Sequence, residues 1–422
     1  MSNLGKSLRK NRPKKSVEKK AYTDSIVEQN DLQKFIYELD NDRSNNLTIR
    51  NQKDIDLKGK YALSIVKDIP PHFSFPRIPL NVDNDKKLEY FNAWRKSISD
   101  FQDSSSSEIS PFEKNIEIWK YLIFTLNSCD VIVQVLDSRN PLFYWIQDID
   151  EYIKSVKKER ISIALVNKSD LLSSDQLEQW KLYLSKCNIP FIFFSSKSGE
   201  FVQTDLISEI KTLLKRDSIE SIGFVGYPNV GKSSTINGLL GVQKTSVGQM
   251  PGKTRHTQTF IFNGVRIFDC PGLVFPKIAS KEELILNGII NIDTLSDYIS
   301  PIRKLLEQIP YNFIIKTYNI HELEEAYYKD MGVNFNDEAL ILLYTFGGNF
   351  KWLIIENRGF YTSNHGIPDC VRVSKILLKD FIAGRLKFNI PPPGISIFGY
   401  NNYQPLIEDK LNSFIPENFI LK

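Results

Sequence analysis

Ile222-Gly223-Phe224-Val225-Gly226-Tyr227-Pro228-Asn229-Val230-Gly231-Lys232-Ser233 joins a short β-rich apolar run to the pattern G-x-x-x-x-G-K-[ST], and a helical segment, Ser234 to Leu240, follows it. Strand, glycine-bearing loop and helix in that order make a phosphate cradle. The glycines let the backbone curl until successive N–H groups point inward, and the helix N-terminus adds positive partial charge. Lys232 is expected to reach the β- and γ-phosphates of a nucleotide and Ser233 to coordinate Mg2+, with Asn229, Val230, Gly231 and Ser234 completing the loop's contacts. With 21 glycines in 422 residues, such a match arises by chance in about one chain in fifty, before its strand and helix context is counted.

Upstream, apolar runs alternate with amphipathic segments. Val131 to Leu136, Ile161 to Val166 and Phe191 to Phe194 read as strands, and Gln176 to Leu184 and Leu206 to Leu214 as helices between them. The alternation predicts an α/β fold, a mostly parallel sheet covered by helices on both faces, with ligands bound beyond the carboxyl ends of the strands. Asn167-Lys168-Ser169-Asp170 falls at such an end and matches N-K-x-D. The Asp170 carboxylate suits guanine, which offers a ring N–H and an exocyclic amine on one edge; adenine offers no such pair there. N-K-x-D alone would arise in about one chain of this composition in four, so its position carries its weight. Ser195-Ser196-Lys197, after the next strand, is similar to an S-A-K element, whose backbone amide meets the guanine carbonyl. Asp269-Cys270-Pro271-Gly272 follows the strand Val265 to Phe268 and matches D-x-x-G, with Asp269 expected to hold Mg2+ through water and the Gly272 amide to sense the γ-phosphate. Thr254 in Pro251-Gly252-Lys253-Thr254 is the candidate switch threonine over Mg2+; the other reading is an exposed threonine in a Gly-Pro turn. The expected catalytic set is Lys232, Thr254 and Gly272.

In ordinary GTPases the phosphate loop precedes N-K-x-D, whereas here Asn167 to Asp170 come more than fifty residues before Gly226. With Asp137-Ser138-Arg139-Asn140-Pro141, similar to a D-A-R-x-P strand end, the chain resembles the circularly permuted GTPases of ribosome assembly, the YlqF/YawG type. Pro76-Arg77-Ile78-Pro79, Trp94-Arg95, Pro111 to Asn115, Asp269 to Pro276 and Pro391-Pro392-Pro393-Gly394 extend the likeness to the cytoplasmic large-subunit branch of eukaryotes, over most of residues 70–396. The resemblance implies GTP and GDP as ligands, the large ribosomal subunit and its rRNA as partner, and a late cytoplasmic role in 60S maturation that releases the nuclear export adaptor. Within the same group, a mitochondrial or nucleolar site of action is the alternative.

Leu273 stands where many GTPases place a water-orienting Gln, so slow intrinsic hydrolysis is expected, with stimulation by the ribosomal subunit; a guanine-nucleotide scaffold that does not hydrolyse is the reading from another class. Asn229 resembles the asparagine that binds K+ in potassium-stimulated relatives, or else is a loop residue bonding its own backbone.

Composition bounds the rest. At 41% apolar and 25% charged, the chain excludes collagen-like, disulfide-scaffold and wholly disordered classes. The four dispersed cysteines suggest neither a disulfide framework nor a zinc site, and no apolar run is long enough to span a membrane. A reducing, cytoplasmic compartment and a monomer are expected. The net charge of +4 is uneven: residues 1–20 carry +7 and the remainder −3, so only that arm offers dense counterion release to RNA, with disorder or nuclear targeting as its other readings. The expected organisation is a basic extended tail at 1–60, a linker segment with a short helix near Leu88 to Ile98 at 61–109, the permuted GTPase domain at 110–300, a mainly helical domain at 301–396 and a tail at 397–422. Ser110-Pro111-Phe112-Glu113 reads as a capping box opening the first helix of the folded part, Asn336 to Tyr344 and Val371 to Leu386 as helices, and Gly347-Gly348 as a turn. Arg372, Lys375 and Lys379 form a basic helix side that faces either RNA or solvent.

Overall fold

A computed structural model describes residues 73–105, 108–156, 159–196, 205–241, 258–320, 323–334, 336–353, 368–395 and 400–401. The expectations for the N-terminal arm, Lys197, Thr254 and the tail beyond 401 lie outside these residues.

In chain order the elements are α1 (Asn84–Ser104), α2 (Ile116–Ser128), β1 (Val131–Asp137), α3 (Pro141–Tyr144), α4 (Gln147–Val156), β2 (Ile161–Asn167), α5 (Ser174–Lys186), β3 (Phe191–Phe193), α6 (Asp205–Leu214), β4 (Ser221–Val225), α7 (Lys232–Leu240), β5 (Gln258–Phe262) and β6 (Val265–Asp269). The helical region adds α8 (Lys281–Leu286), α9 (Ser300–Leu306), α10 (Tyr311–Thr317), α11 (Glu325–Asp330), α12 (Glu338–Leu353) and α13 (Cys370–Ala383). The six strands lie in the order β3-β2-β1-β4-β6-β5, parallel except for β5. From β1 the sheet grows outward through β2 to β3; α6 then carries the chain back to the other side of β1, where β4 begins. The winding therefore reverses between β1 and β4, and a crevice opens there at the carboxyl ends.

β1 and β4 are buried along their whole length, as continuous apolar runs in a covered parallel sheet should be. Gln134 is the polar residue inside β1, before Asp137 ends it. Its amide donates to the Ile146 carbonyl and Ser162 Oγ and accepts from the Ile146 N–H, so its burial leaves nothing unpaired. The edge pair β5–β6 turns at Asn263-Gly264, both with positive φ (48° and 79°), the geometry of a two-residue hairpin.

A second apolar core is built from α8, α9, α10, α12 and α13, with Ile302, Leu305, Ile314, Leu342, Phe346, Val373 and Leu377 at its centre. α12 runs through Gly347 and Gly348 instead of turning there. A Cβ on Gly347 would lie 2.6 Å from Pro368 Cβ, and one on Gly348 would lie 2.7 Å from Leu323 Cδ1. These glycines allow close packing, a demand that the sequence signal for a turn does not distinguish. Lys375 and Lys379 of α13 donate to the carbonyl and carboxylate of Asp293, which favours an intramolecular role for two of the three basic side chains on that helix.

Ordered structure starts before Ser110. Phe73, Phe75 and Ile78 are buried, and Arg77 forks onto the buried Asp148 of α4 at 2.9 and 2.5 Å while its guanidinium lies over the Phe75 and Tyr152 rings. Trp94 of α1 stacks on Phe91 and meets Trp119 edge-on. The Ser110 capping box does not form. The Ser110 N–H donates to the Lys277 carbonyl (2.7 Å) and its Oγ accepts from the Lys277 N–H (3.1 Å), which consumes the hydroxyl in an extended pairing. Asn115 caps α2 instead, accepting from the Glu117 N–H.

Candidate nucleotide site

The loop after β4 has the strained backbone that its glycines predict: φ is +142° at Gly226 and +99° at Gly231, the residue that caps α7. A Cβ at Gly226 would lie 2.7 Å from the Val135 carbonyl oxygen, so β1 and the loop approach too closely for any side chain there. Lys232 is only 6% exposed, and its ammonium donates to the carbonyls of Gly226 (2.9 Å) and Tyr227 (2.6 Å). Burial lowers its pKa to about 8, against the opposing influence of Asp269. An ammonium held on its own loop's carbonyls can move to phosphate oxygens without leaving the cradle. Ser233 and Ser234 open the first turn of α7 beside it.

Asn167 ends β2 and ties three segments together. Its amide donates to the Val230 carbonyl (2.9 Å), and its Oδ1 accepts from the Ser196 N–H (3.2 Å). Lys168, with φ +62°, extends its ammonium to Asp137 Oδ2 (2.7 Å) and to the Asn229 carbonyl (2.9 Å). Asp170 is exposed, and the Ser195 hydroxyl orients it from 2.7 Å. The motifs after β2, β3 and β4 therefore meet through hydrogen bonds already made within the protein, with Asp170 presented to solvent at the rim.

Asp269 closes β6 beside this loop. It is fully buried, and neither carboxylate oxygen has a hydrogen-bond partner among the described residues. Burial raises its pKa to about 6, opposed by Lys232. A buried, unpartnered pair of carboxylate oxygens next to the first turn of α7 suits a hard divalent cation with its waters, so the donor set fits Mg2+. Gly272 follows, where an added Cβ would lie 3.1 Å from Pro228 Cα and 3.2 Å from Lys232 Nζ; only a bare backbone fits against the loop. Leu273 is buried, and its N–H donates to the Gly226 carbonyl.

Two interactions lie outside the sequence reading: the partners of Asp137 and the reach of Asn229. Asp137, at the end of β1, accepts from Arg139 Nε (2.9 Å) and Nη2 (2.7 Å), from the Arg139 N–H and from Lys168. Burial alone would push its pKa up, but the two cations hold it far below the usual carboxylate range. The Asn229 side chain donates to the Gly288 carbonyl at 2.7 Å, joining the cradle to the segment after α8. A strand-end Asp followed two residues later by Arg was the available signal for the first; nothing local signals the second.

Residues 221–328 match the family model described as 50S ribosome-binding GTPase. That match starts at β4, because the guanine-type motif lies upstream of it. The chain is 34% identical to Large subunit GTPase 1 of Schizosaccharomyces pombe over 400 residues, covering 83% of this chain and 62% of that one. It is 30% identical to GTPase LSG1-1 of Arabidopsis thaliana over 403 residues, covering 84% and 73%. The chain thus spans somewhat under two thirds of the length of the fission-yeast relative. The crystal structure of GNP-bound YlqF from T. maritima aligns with a TM-score of 0.43 at 19% identity, over 66% of this chain and 99% of that one. The order of motifs along the sheet and the match to the Arabidopsis relative lead to one conclusion: the chain belongs to the large subunit GTPase 1 family, with a circularly permuted P-loop GTPase fold.

Proposed function

We propose that the chain is a guanine-nucleotide switch that hydrolyses GTP to GDP and phosphate during late cytoplasmic maturation of the large ribosomal subunit, and that it drives release of the nuclear export adaptor from the pre-60S particle. The observation that carries this reading is the convergence of the ends of β2, β3, β4 and β6 on one crevice, with the phosphate loop, N-K-x-D and D-x-x-G side by side. The named relatives support the ribosomal setting.

In this reading Asp170 accepts the guanine N–H pair, the Ser196 amide turns from Asn167 Oδ1 to the guanine carbonyl, Lys197 follows it in the same element, and the Gly231 to Ser234 amides and Lys232 hold the phosphates. Ser233, Asp269 and Thr254 hold Mg2+, which would neutralise charge developing on the phosphate oxygens. Gly272 senses the γ-phosphate. Leu273 packs into the core and has no group to orient the attacking water, so turnover depends on a contribution from outside the site. Asn229 is the K+ candidate; with its amide nitrogen on Gly288, its oxygen is the atom such an ion would use.

The switch has direct outlets. Residues 108–113 pair with 274–278, just after Gly272, through Glu113 N–H to the Val274 carbonyl (2.9 Å), the Ser110–Lys277 pair and the Ile109–Ile278 bridge. Movement of Gly272 on γ-phosphate loss would therefore pull on the N-terminal segment and, through α8, on the helical region.

Single-turnover hydrolysis with and without purified 60S subunits tests the reading. Slow hydrolysis accelerated by 60S supports it; tight GTP binding with no hydrolysis under either condition favours the scaffold suggested by Leu273. Equal rates in KCl and NaCl would remove the potassium role of Asn229.

A further inference from the structure

Arg139 stands at the joint between the nucleotide crevice and the helical region, and it is occupied on both sides. Toward the crevice, Nε and Nη2 grip Asp137, whose Oδ2 also accepts from Lys168, and Lys168 in turn holds the Asn229 carbonyl in the phosphate loop. Toward the helical region, Nη1 donates to the carbonyl of Phe381 near the end of α13 (3.0 Å), and the Arg139 carbonyl accepts from the Ile390 N–H (2.7 Å). Around this relay the two regions also meet where Tyr144 Oη donates to the Asn287 carbonyl, the Asn389 amide donates to the Leu171 carbonyl and Gln176 Oε1, Gly384 closes on Leu171, and the Asn229 amide donates to the Gly288 carbonyl. A cleft of about 20 Å³, room for one water, lies beside Asp137, Arg139, Tyr144 and Phe381.

We propose that Arg139 is a positioning residue through which docking of the helical region sets the guanine-nucleotide affinity of the crevice. Docked, α13 and the 385–390 segment fix Arg139 in the orientation that grips Asp137. Asp137 then holds the Lys168 ammonium against the phosphate loop, between the phosphate and guanine ends of the site. Undocked, the guanidinium loses Phe381 and Ile390, and the chain of bonds to Asn229 loosens. Linkage requires the converse: nucleotide in the crevice strengthens docking of α13 by the same factor. A ribosomal partner that pulls on the helical region would thereby lower nucleotide affinity without touching the crevice. This inference rests on the guanine-nucleotide reading of the site.

The test uses the full chain with fluorescent GDP and GTP analogues and hydrogen exchange over residues 378–390. Ile390→Pro deletes the N–H that holds the Arg139 carbonyl, and Ile390→Ala keeps that N–H while removing a comparable side chain. Arg139→Lys keeps a cation near Asp137 but loses the fork and its reach to Phe381. The expected result is that Ile390→Pro and Arg139→Lys weaken nucleotide binding about fivefold or more, while Ile390→Ala stays within about twofold. Nucleotide should slow exchange at 378–390 in the wild-type chain, and this protection should shrink in Arg139→Lys. Wild-type binding that is unchanged in Ile390→Pro and Arg139→Lys, with exchange at 378–390 insensitive to nucleotide, overturns the relay and leaves the site reading intact. A wild-type chain that binds no guanine nucleotide overturns both.

Discussion

Asp137 and Asp269 end β1 and β6, the two strands that flank β4, and both are buried to within 2% of full exclusion from solvent. Their surroundings are opposite. Asp137 is saturated by a guanidinium, an ammonium and a backbone N–H, and stays ionised to very low pH. Asp269 has no hydrogen-bond partner among the described residues, and burial pushes its pKa to about 6. The protein thus holds one residue type, at matching positions in one sheet, in opposite surroundings. A satisfied buried charge fixes architecture, and an unsatisfied one is retained at a cost in stability.

The contrast breaks most visibly at Asp137. Asp137→Ala strands Arg139 and Lys168 in a buried joint, and urea unfolding should show a loss of about 3–5 kcal/mol. At Asp269 the balance reverses. Asp269→Asn should leave the nucleotide-free protein no less stable at neutral pH, yet lower single-turnover GTP hydrolysis about a hundredfold, since only the ligated state uses the carboxylate's charge. An equal stability loss at the two positions would erase the distinction.

pH sharpens the same comparison. The folded-state pKa of Asp269, about 6, lies above the ordinary carboxylate value of 3.8, so the folded state binds the extra proton. Stability of the nucleotide- and metal-free protein should therefore fall as pH rises from about 4 to about 6, by on the order of 2 kcal/mol, and Asp269→Asn should flatten that fall. Asp137, with its pKa driven down, contributes stability that persists to far lower pH. The smallest effect is expected at a third buried carboxylate, Asp148, which the half-exposed Arg77 clasps from the N-terminal segment. Arg77→Ala should cost about 1–2 kcal/mol in urea unfolding, because water can enter where the guanidinium was and the Phe75 N–H still donates.

The sequence carried the sheet far better than its attachments. β1, β2, β4 and β6 are mostly apolar runs, and each ends in or leads into the motif that gives its role away, so periodicity and motif agree. β5 was missed although Asn263-Gly264 is a strong hairpin signal, because its outward side chains, such as Ile261 at 75% exposure, give no buried alternation. Ser110 and Gly347-Gly348 misled for a shared reason: a hydroxyl before proline and a pair of glycines are local signals, and in the fold both were taken by distant partners, Lys277 for the hydroxyl, Pro368 and Leu323 for the glycines.

The same division runs through the site. The residues proposed to touch a nucleotide announce themselves, because a phosphate cradle and a guanine-reading edge need fixed residue types at fixed spacing within one turn of chain. By itself the sequence therefore determined the parallel α/β class, the permuted order and the motif positions. Which buried carboxylate finds cations and which is left for a ligand depends on Arg139, Lys168 and Lys232 arriving from different strand ends. Whether Arg139 also reaches Phe381 depends on a segment more than two hundred residues away in sequence. Those partnerships come from how the strands and helices pack, and only the tertiary structure decided them.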